Sequence, residues 1–176
     1  MCLTALLLLI LFSGCINNIN KTQNAELTGV VCYVVDGDTV DVTVSNGSKY
    51  RIRLLGVDTP EKRNTNKPNE YILLDGTPIT NTNYLKIWGI KATNFAKNKL
   101  ENKTVKVVFD GSVMEKGHYG RYLAYIYVNG TNFNEELIKY GYARVYISDF
   151  TLKDKFLEEE KYAKKNKIGL WNWSNN

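Results

Sequence analysis

Residues 28–56 read TGVVCYVVDGDTVDVTVSNGSKYRIRLLG, and the Asn46-Gly47 pair inside them restricts the fold more than any other feature of the chain. Both residues accept positive φ, so the pair closes a tight hairpin. On one side lies TVDVTV (39–44), which alternates and places Val40, Val42 and Val44 on one face; on the other, YRIRLLG (50–56) returns, with Gly56 ending or bending it. The run before them, TGVVCYVV (28–35), is continuously apolar and predicts a further strand, with Cys32 read as a small buried core residue. The chain therefore opens with successive strands.

Beyond Gly56 the chain mixes strands and helices. Residues 62–83 (KRNTNKPNEYILLDGTPITNTN) are rich in Asn and hold Pro68 and Pro78, which predicts a long exposed loop. Ala92, Phe95, Ala96 and Leu100 then recur at helical spacing on one face. TVKVVF and RYLAYIYV are two more strands, and NEELIKYG is a short helix capped by its leading Asn134 and stopped by Gly141. YARVYI is a brief extended piece, and 151–165 is a last amphipathic helix carrying Leu152, Phe156 and Leu157. Five strands, a helix inserted after the third and a helix at the C-terminal end suit a β-barrel with helices (α+β). The expected form is the five-stranded Greek-key barrel of the oligonucleotide-binding (OB) type, with about three α-helices. The domain is expected over 26–173.

A formal net charge of +5 and a pI near 9.0 favour an anionic partner, nucleic acid or an anionic membrane surface. The first fifteen residues have another character. LTALLLLILFSGC is an apolar run too short to span a bilayer comfortably, ending in Ser13-Gly14-Cys15. That ending is similar to a lipoprotein box, in which the cysteine is lipidated; Phe12 stands where such boxes usually carry leucine, and no Lys or Arg precedes the run. The expectation is a signal peptide over 1–15, a lipid anchor at Cys15 on the outer face of the cell membrane, and a polar tether over 16–25. The alternatives are a plain cleaved signal, hence secretion, or an uncleaved anchor. Outside the leader only Cys32 remains, so the domain has no internal disulfide, and with no CxxC or His/Cys cluster it carries no zinc signature.

Chemistry concentrates in two stretches, DGDTV (36–40) and RLLGVDTPE (53–61). They put Asp38, Asp58 and Glu61 at the ends of separate strands, which a barrel can gather. Clustered carboxylates repel unless a cation neutralises them, and a hard cation such as Ca²⁺ takes carboxylate and carbonyl oxygens, including one from the Thr59-Pro60 turn. Arg53 lies close in sequence and Arg121 comes from the fifth strand. Two guanidiniums beside a carboxylate-bound cation form a receptor for a phosphodiester, strongest where charge builds up during attack. The plainer alternative is hairpin turns with solvated acids and strand-edge arginines.

VVDGDTVDV, YRIRLLGVDTPE and YGRYLAYIYVNG, taken in order, resemble the thermonuclease (staphylococcal nuclease) family, and the likeness runs from about residue 27 to GLW at 169–171. The resemblance implies the OB barrel with three helices and Ca²⁺-dependent hydrolysis of DNA and RNA, with little sequence preference and 3′-phosphate ends. It implies Asp38 and Asp58 as direct Ca²⁺ ligands, Thr59 as a carbonyl ligand, and Glu61 as the carboxylate next to the metal. Arg53 and Arg121 become the catalytic arginines, Tyr119 and Tyr146 the tyrosines flanking the nucleotide, and Asp36 a structural acid. Unpaired strands are the expected preference and a monomer the expected state. EYILLDGTPITNTN looks inserted beside the motif, and His118 stands where the family often has lysine. The competing expectation is a non-catalytic barrel that binds nucleic acid or a partner at the cell surface.

Overall fold

The computed structural model describes residues 24–111 and 113–174, His118 by its backbone alone. The elements run β1 (Glu26–Asp36), β2 (Thr39–Val44), β3 (Lys49–Leu54), β4 (Val57–Asp58), α1 (Thr82–Leu100), β5 (Thr104–Val108), β6 (Tyr122–Val128), β7 (Thr131–Asn132), α2 (Phe133–Lys139), β8 (Arg144–Val145) and α3 (Lys153–Lys165). Five strands close a barrel in the order β3-β2-β1-β5-β6, and β6 returns to β3. Every neighbouring pair is antiparallel except β3 with β6, which pairs Ile52 with Tyr122 and Leu54 with Ala124 in parallel. This is the OB barrel with three α-helices.

Alternation fills its interior. Val40 and Val42 of β2, Ile52 and Leu54 of β3, Val105 and Val107 of β5 and Ala124 and Ile126 of β6 are all buried, which is the expected inward face of a small barrel. One end is plugged by α2, whose Phe133, Leu137 and Ile138 are buried. Asn134 lies inside that helix, fully buried: its Nδ2 donates to Leu55 O (3.0 Å) and Ala124 O (3.2 Å), and its Oδ1 accepts from Ile126 N (3.0 Å). The cap is instead Asn132, which accepts from Glu135 N at 3.3 Å, so the helix starts one residue before the stretch read from sequence.

A second expectation is corrected and a third refined. Cys32 is exposed, its Sγ 3.4 Å from Asp41 O. A register shift between Val31 and Tyr33 against β2 turns Cys32 and Tyr33 outward together while Val31 and Val34 face the core. The segment 62–83, exposed over most of its length as expected, is nonetheless pinned to the domain at two points. Tyr71 and Ile79 are buried with Leu85, Ala163, Leu170 and Trp171 in a second apolar cluster. A bridge between Ile72 and Pro78 closes the turn at Asp75-Gly76, and α1 already begins at Thr82, capped by Asn81 accepting from Tyr84 N. Cys15, the leader 1–15 and all but the end of the tether lie outside the described residues. Among the described residues, no helix is long and apolar enough to cross a membrane.

Candidate active site

Asp38 stands in the turn between β1 and β2, where the chain must reverse and leaves a carboxylate at the barrel rim. It is buried and both its oxygens are engaged: Oδ1 accepts from the Thr39 hydroxyl (3.0 Å), Oδ2 from the Thr59 N–H (2.9 Å) and hydroxyl (3.0 Å). Arg53, the outward residue of β3 opposite Thr39, reaches the same place. Its Nη1 lies 3.0 Å from Asp38 Oδ2 and donates to Val57 O (2.7 Å), and its Nη2 donates to Asp58 Oδ1 (2.8 Å). Burial disfavours its charge, but Asp38, Asp58 and Asp36 outweigh that and raise its pKa.

Glu61 is held by its backbone. Asn66 Oδ1 accepts from Glu61 N (2.7 Å) and Asn66 Nδ2 donates to Glu61 O (2.8 Å), so one side-chain amide pairs with both backbone groups. From the other side α1 abuts the Pro60–Glu61 backbone at Gly89. Arg121 follows a single 3₁₀ turn, His118–Gly120, in which Tyr119 adopts φ 63°. Its guanidinium lies 5.6 Å from the Tyr119 ring, and its Nε is buried without a hydrogen-bond partner among the described residues. An orphaned buried donor costs on the order of 1–3 kcal/mol, more on a charged group, and an anion in the cleft would satisfy it.

Asp36, Asp38, Arg53, Asp58, Glu61, Tyr119, Arg121 and Tyr146 line one cleft of about 540 Å³. Thr59 sits just outside it, in an adjoining pocket of about 200 Å³ that shares Asp58, Glu61 and Tyr146. A larger groove beside Glu26, Lys106 and Tyr127 contains none of these residues. Tyr119 and Tyr146 are exposed at the mouth. The turn residues that a plainer reading would leave solvated are therefore drawn into one charged site.

Its electrostatics are those of acids withdrawn from solvent and crowded together. Burial and the charge of Asp38 push Asp36 up to about 7. The same two causes raise Asp58 against the opposing pull of Arg53 and Arg144. Glu61, exposed at the rim, is still raised by partial burial and then by Asp38 and Asp58. Among the described residues no three His, Cys, Asp or Glu side chains stand close enough to form a metal cluster. What the site would offer a hard cation such as Ca²⁺ is donor chemistry: the carboxylates of Asp38 and Asp58, oxygen donors only, with the remaining positions left to carbonyl and water.

Two participants escaped the sequence reading. Asn66 carries no signal, because its partner is backbone. Arg144, in a segment read merely as extended, forms an ion pair with Asp58 at 2.9 Å; the one available hint was a cation on a short strand ending next to Tyr146.

A family profile described as staphylococcal nuclease homologue matches residues 51–173. The chain belongs to the staphylococcal nuclease family. A thermonuclease of Staphylococcus hyicus is 34% identical over 161 residues, covering 90% of this chain and 84% of that one. An endonuclease of Bacillus subtilis (YncB) is 34% identical over 159 residues, covering 88% and 66%. An uncharacterized protein of Methanocaldococcus jannaschii is 63% identical over 152 residues, covering 84% and 73%. The staphylococcal nuclease profile takes in β3 from Arg51 on, β6 and both arginines of the cleft, with Asp58 and Glu61; Asp36 and Asp38 lie before it, ahead of β2.

Proposed function

We propose that the chain is a Ca²⁺-dependent phosphodiesterase that hydrolyses DNA and RNA with little sequence preference and leaves 3′-phosphate ends. The observation that carries this is the meeting of Arg53 and Arg121 with Asp38, Asp58 and Glu61 in one cleft, with Arg121 Nε buried and unpartnered there. Asp38, Asp58 and the Thr59 carbonyl would hold Ca²⁺, which supplies charge neutralisation at the phosphate and orientation of the attacking water. Glu61, at the rim of the same cleft, takes the proton of that water. The water oxygen bonds to phosphorus as the bond to the 5′-oxygen breaks. Arg53 and Arg121 donate to the phosphoryl oxygens as charge accumulates, and Arg121 steadies the departing 5′-oxygen until solvent protonates it. Tyr119 and Tyr146 offer rings at the mouth of the cleft, and a ring stacks on any base. A recessed phosphate site favours unpaired strands.

Incubating the purified protein with single-stranded DNA and RNA, with Ca²⁺ or with a chelator, tests the reading. Cleavage with Ca²⁺ alone, giving ends that a 3′-phosphatase can process, is expected; intact substrate under both conditions overturns it. We also propose that Cys15 is lipidated and holds the nuclease at the outer face of the membrane. Activity in the membrane fraction of the host, altered by Cys15→Ser, supports this, and activity wholly in the medium overturns the anchor alone.

A further inference from the structure

The geometry points to Arg144 as a positioning residue that determines which oxygen of Asp58 is offered to a cation, an inference that rests on the proposed calcium site. Arg144 stands opposite Asp58 in the two-residue pairing of β4 with β8. Both of its inner donors converge on one carboxylate oxygen: Nε on Oδ2 at 3.0 Å and Nη2 on Oδ2 at 2.9 Å. A carboxylate has about four acceptor positions, two on each oxygen. Oδ2 is thereby filled by Arg144 alone. Oδ1 takes a single donor, Arg53 Nη2 at 2.8 Å, so the acceptor position left over is on Oδ1, the oxygen on the side of Arg53 and Asp38.

Arg144 is itself held, which separates it from a surface ion pair of little consequence. Its side chain is 17% exposed, its guanidinium lies 5.5 Å from the Tyr71 ring and 6.0 Å from the Tyr146 ring, and its Nη2 is 3.7 Å from Glu70 Oε2. Glu70 and Tyr71 open the stretch EYILLDGTPITNTN (70–83). The segment that looked like an insertion thus braces, through Arg144, the orientation of Asp58. Partners that orient a ligand in this way typically govern metal affinity by about 10–100-fold.

The test titrates Ca²⁺ into the full-length protein, without nucleic acid, by calorimetry, for wild type, Arg144→Met and Arg144→Lys, each checked for folding by thermal melting. Arg144→Met should weaken binding by about 10–100-fold. Arg144→Lys, which keeps the charge but cannot place two donors on one oxygen, should lie between. Turnover of both variants should recover at saturating Ca²⁺. Folded variants with wild-type affinity overturn the assignment, and so does turnover that stays low at saturating Ca²⁺, which marks a structural lesion. If Arg144→Met fails to fold, Arg144→Lys decides on the same criteria. A wild-type protein that takes no Ca²⁺ overturns the calcium reading and this inference with it, whereas wild-type binding with unchanged variants overturns Arg144 alone.

Discussion

Gly89→Ala is the substitution whose outcome the structure constrains most tightly. The position is buried in the middle of α1, where alanine normally stabilises a helix by about 1 kcal/mol over glycine. Here a Cβ would stand 2.3 Å from Pro60 O, 2.6 Å from Glu61 C and 2.7 Å from Glu61 O. Favourable contact lies near 3.5 Å, so backbone has to retreat by roughly 1 Å. Neither side yields easily. Ala92, Ala96 and Leu100 tie α1 to the interior, and Asn66 fixes both backbone groups of Glu61. Overpacking against backbone costs about 1–3 kcal/mol, which cancels the propensity gain of about 1 kcal/mol and leaves a net loss of up to about 2 kcal/mol. The functional effect should be larger, because a reacting group displaced by about 1 Å can lose on the order of 10² in rate. Urea denaturation and steady-state cleavage of a short oligonucleotide measure the two effects. A Gly89→Ala protein that is more stable by about 1 kcal/mol and fully active would refute the close approach of α1 to Glu61 as the reason for glycine here.

Three further outcomes are expected. Arg53→Lys and Arg121→Lys should each lower kcat by about 10²–10³ with a much smaller change in KM, since their fork matters most as charge develops; near-normal turnover in steady-state kinetics removes them from catalysis. Asp38→Ala and Asp58→Ala should each weaken Ca²⁺ binding in calorimetric titrations with nucleotide present, while Cys32→Ser, outside the cleft, leaves it unchanged; equal affinities would reduce the acids to turn residues. Burial, followed by the charge of Asp110, raises the Tyr125 phenol above its usual value of 10, so the protonated folded form contributes stability that is intact below the unfolded value and lost as pH rises through the folded one. Urea midpoints should fall from about pH 9 to 11 and fall less steeply in Tyr125→Phe; parallel curves for the two proteins would mean that Tyr125 does not contribute.

Sequence by itself determined the strands and their turns, because alternation and the Asn46-Gly47 pair are local properties that need no partner. It also located the acids and arginines of the cleft, since each sits at a strand end or turn whose motif is contiguous. What it could not determine was direction. Whether Cys32 faces core or solvent depends on a register shift against β2, and register belongs to the pair of strands. Whether Asn134 caps a helix or bonds three backbone groups inside the barrel depends on Leu55, 79 residues earlier in the chain. The segment 62–83 read as an exposed loop from its Asn and Pro content, and nothing local tells which of its apolar residues are buried: only contact with α1 and Trp171 buries Tyr71 and Ile79 while Ile72 and Leu74 stay exposed. Arg144 and Asp58 are 86 residues apart. Their pairing arises when β4 and β8 meet beside the barrel, so no local pattern could announce it: an ion pair is a fact about distance, and the pairing of those two strands sets that distance.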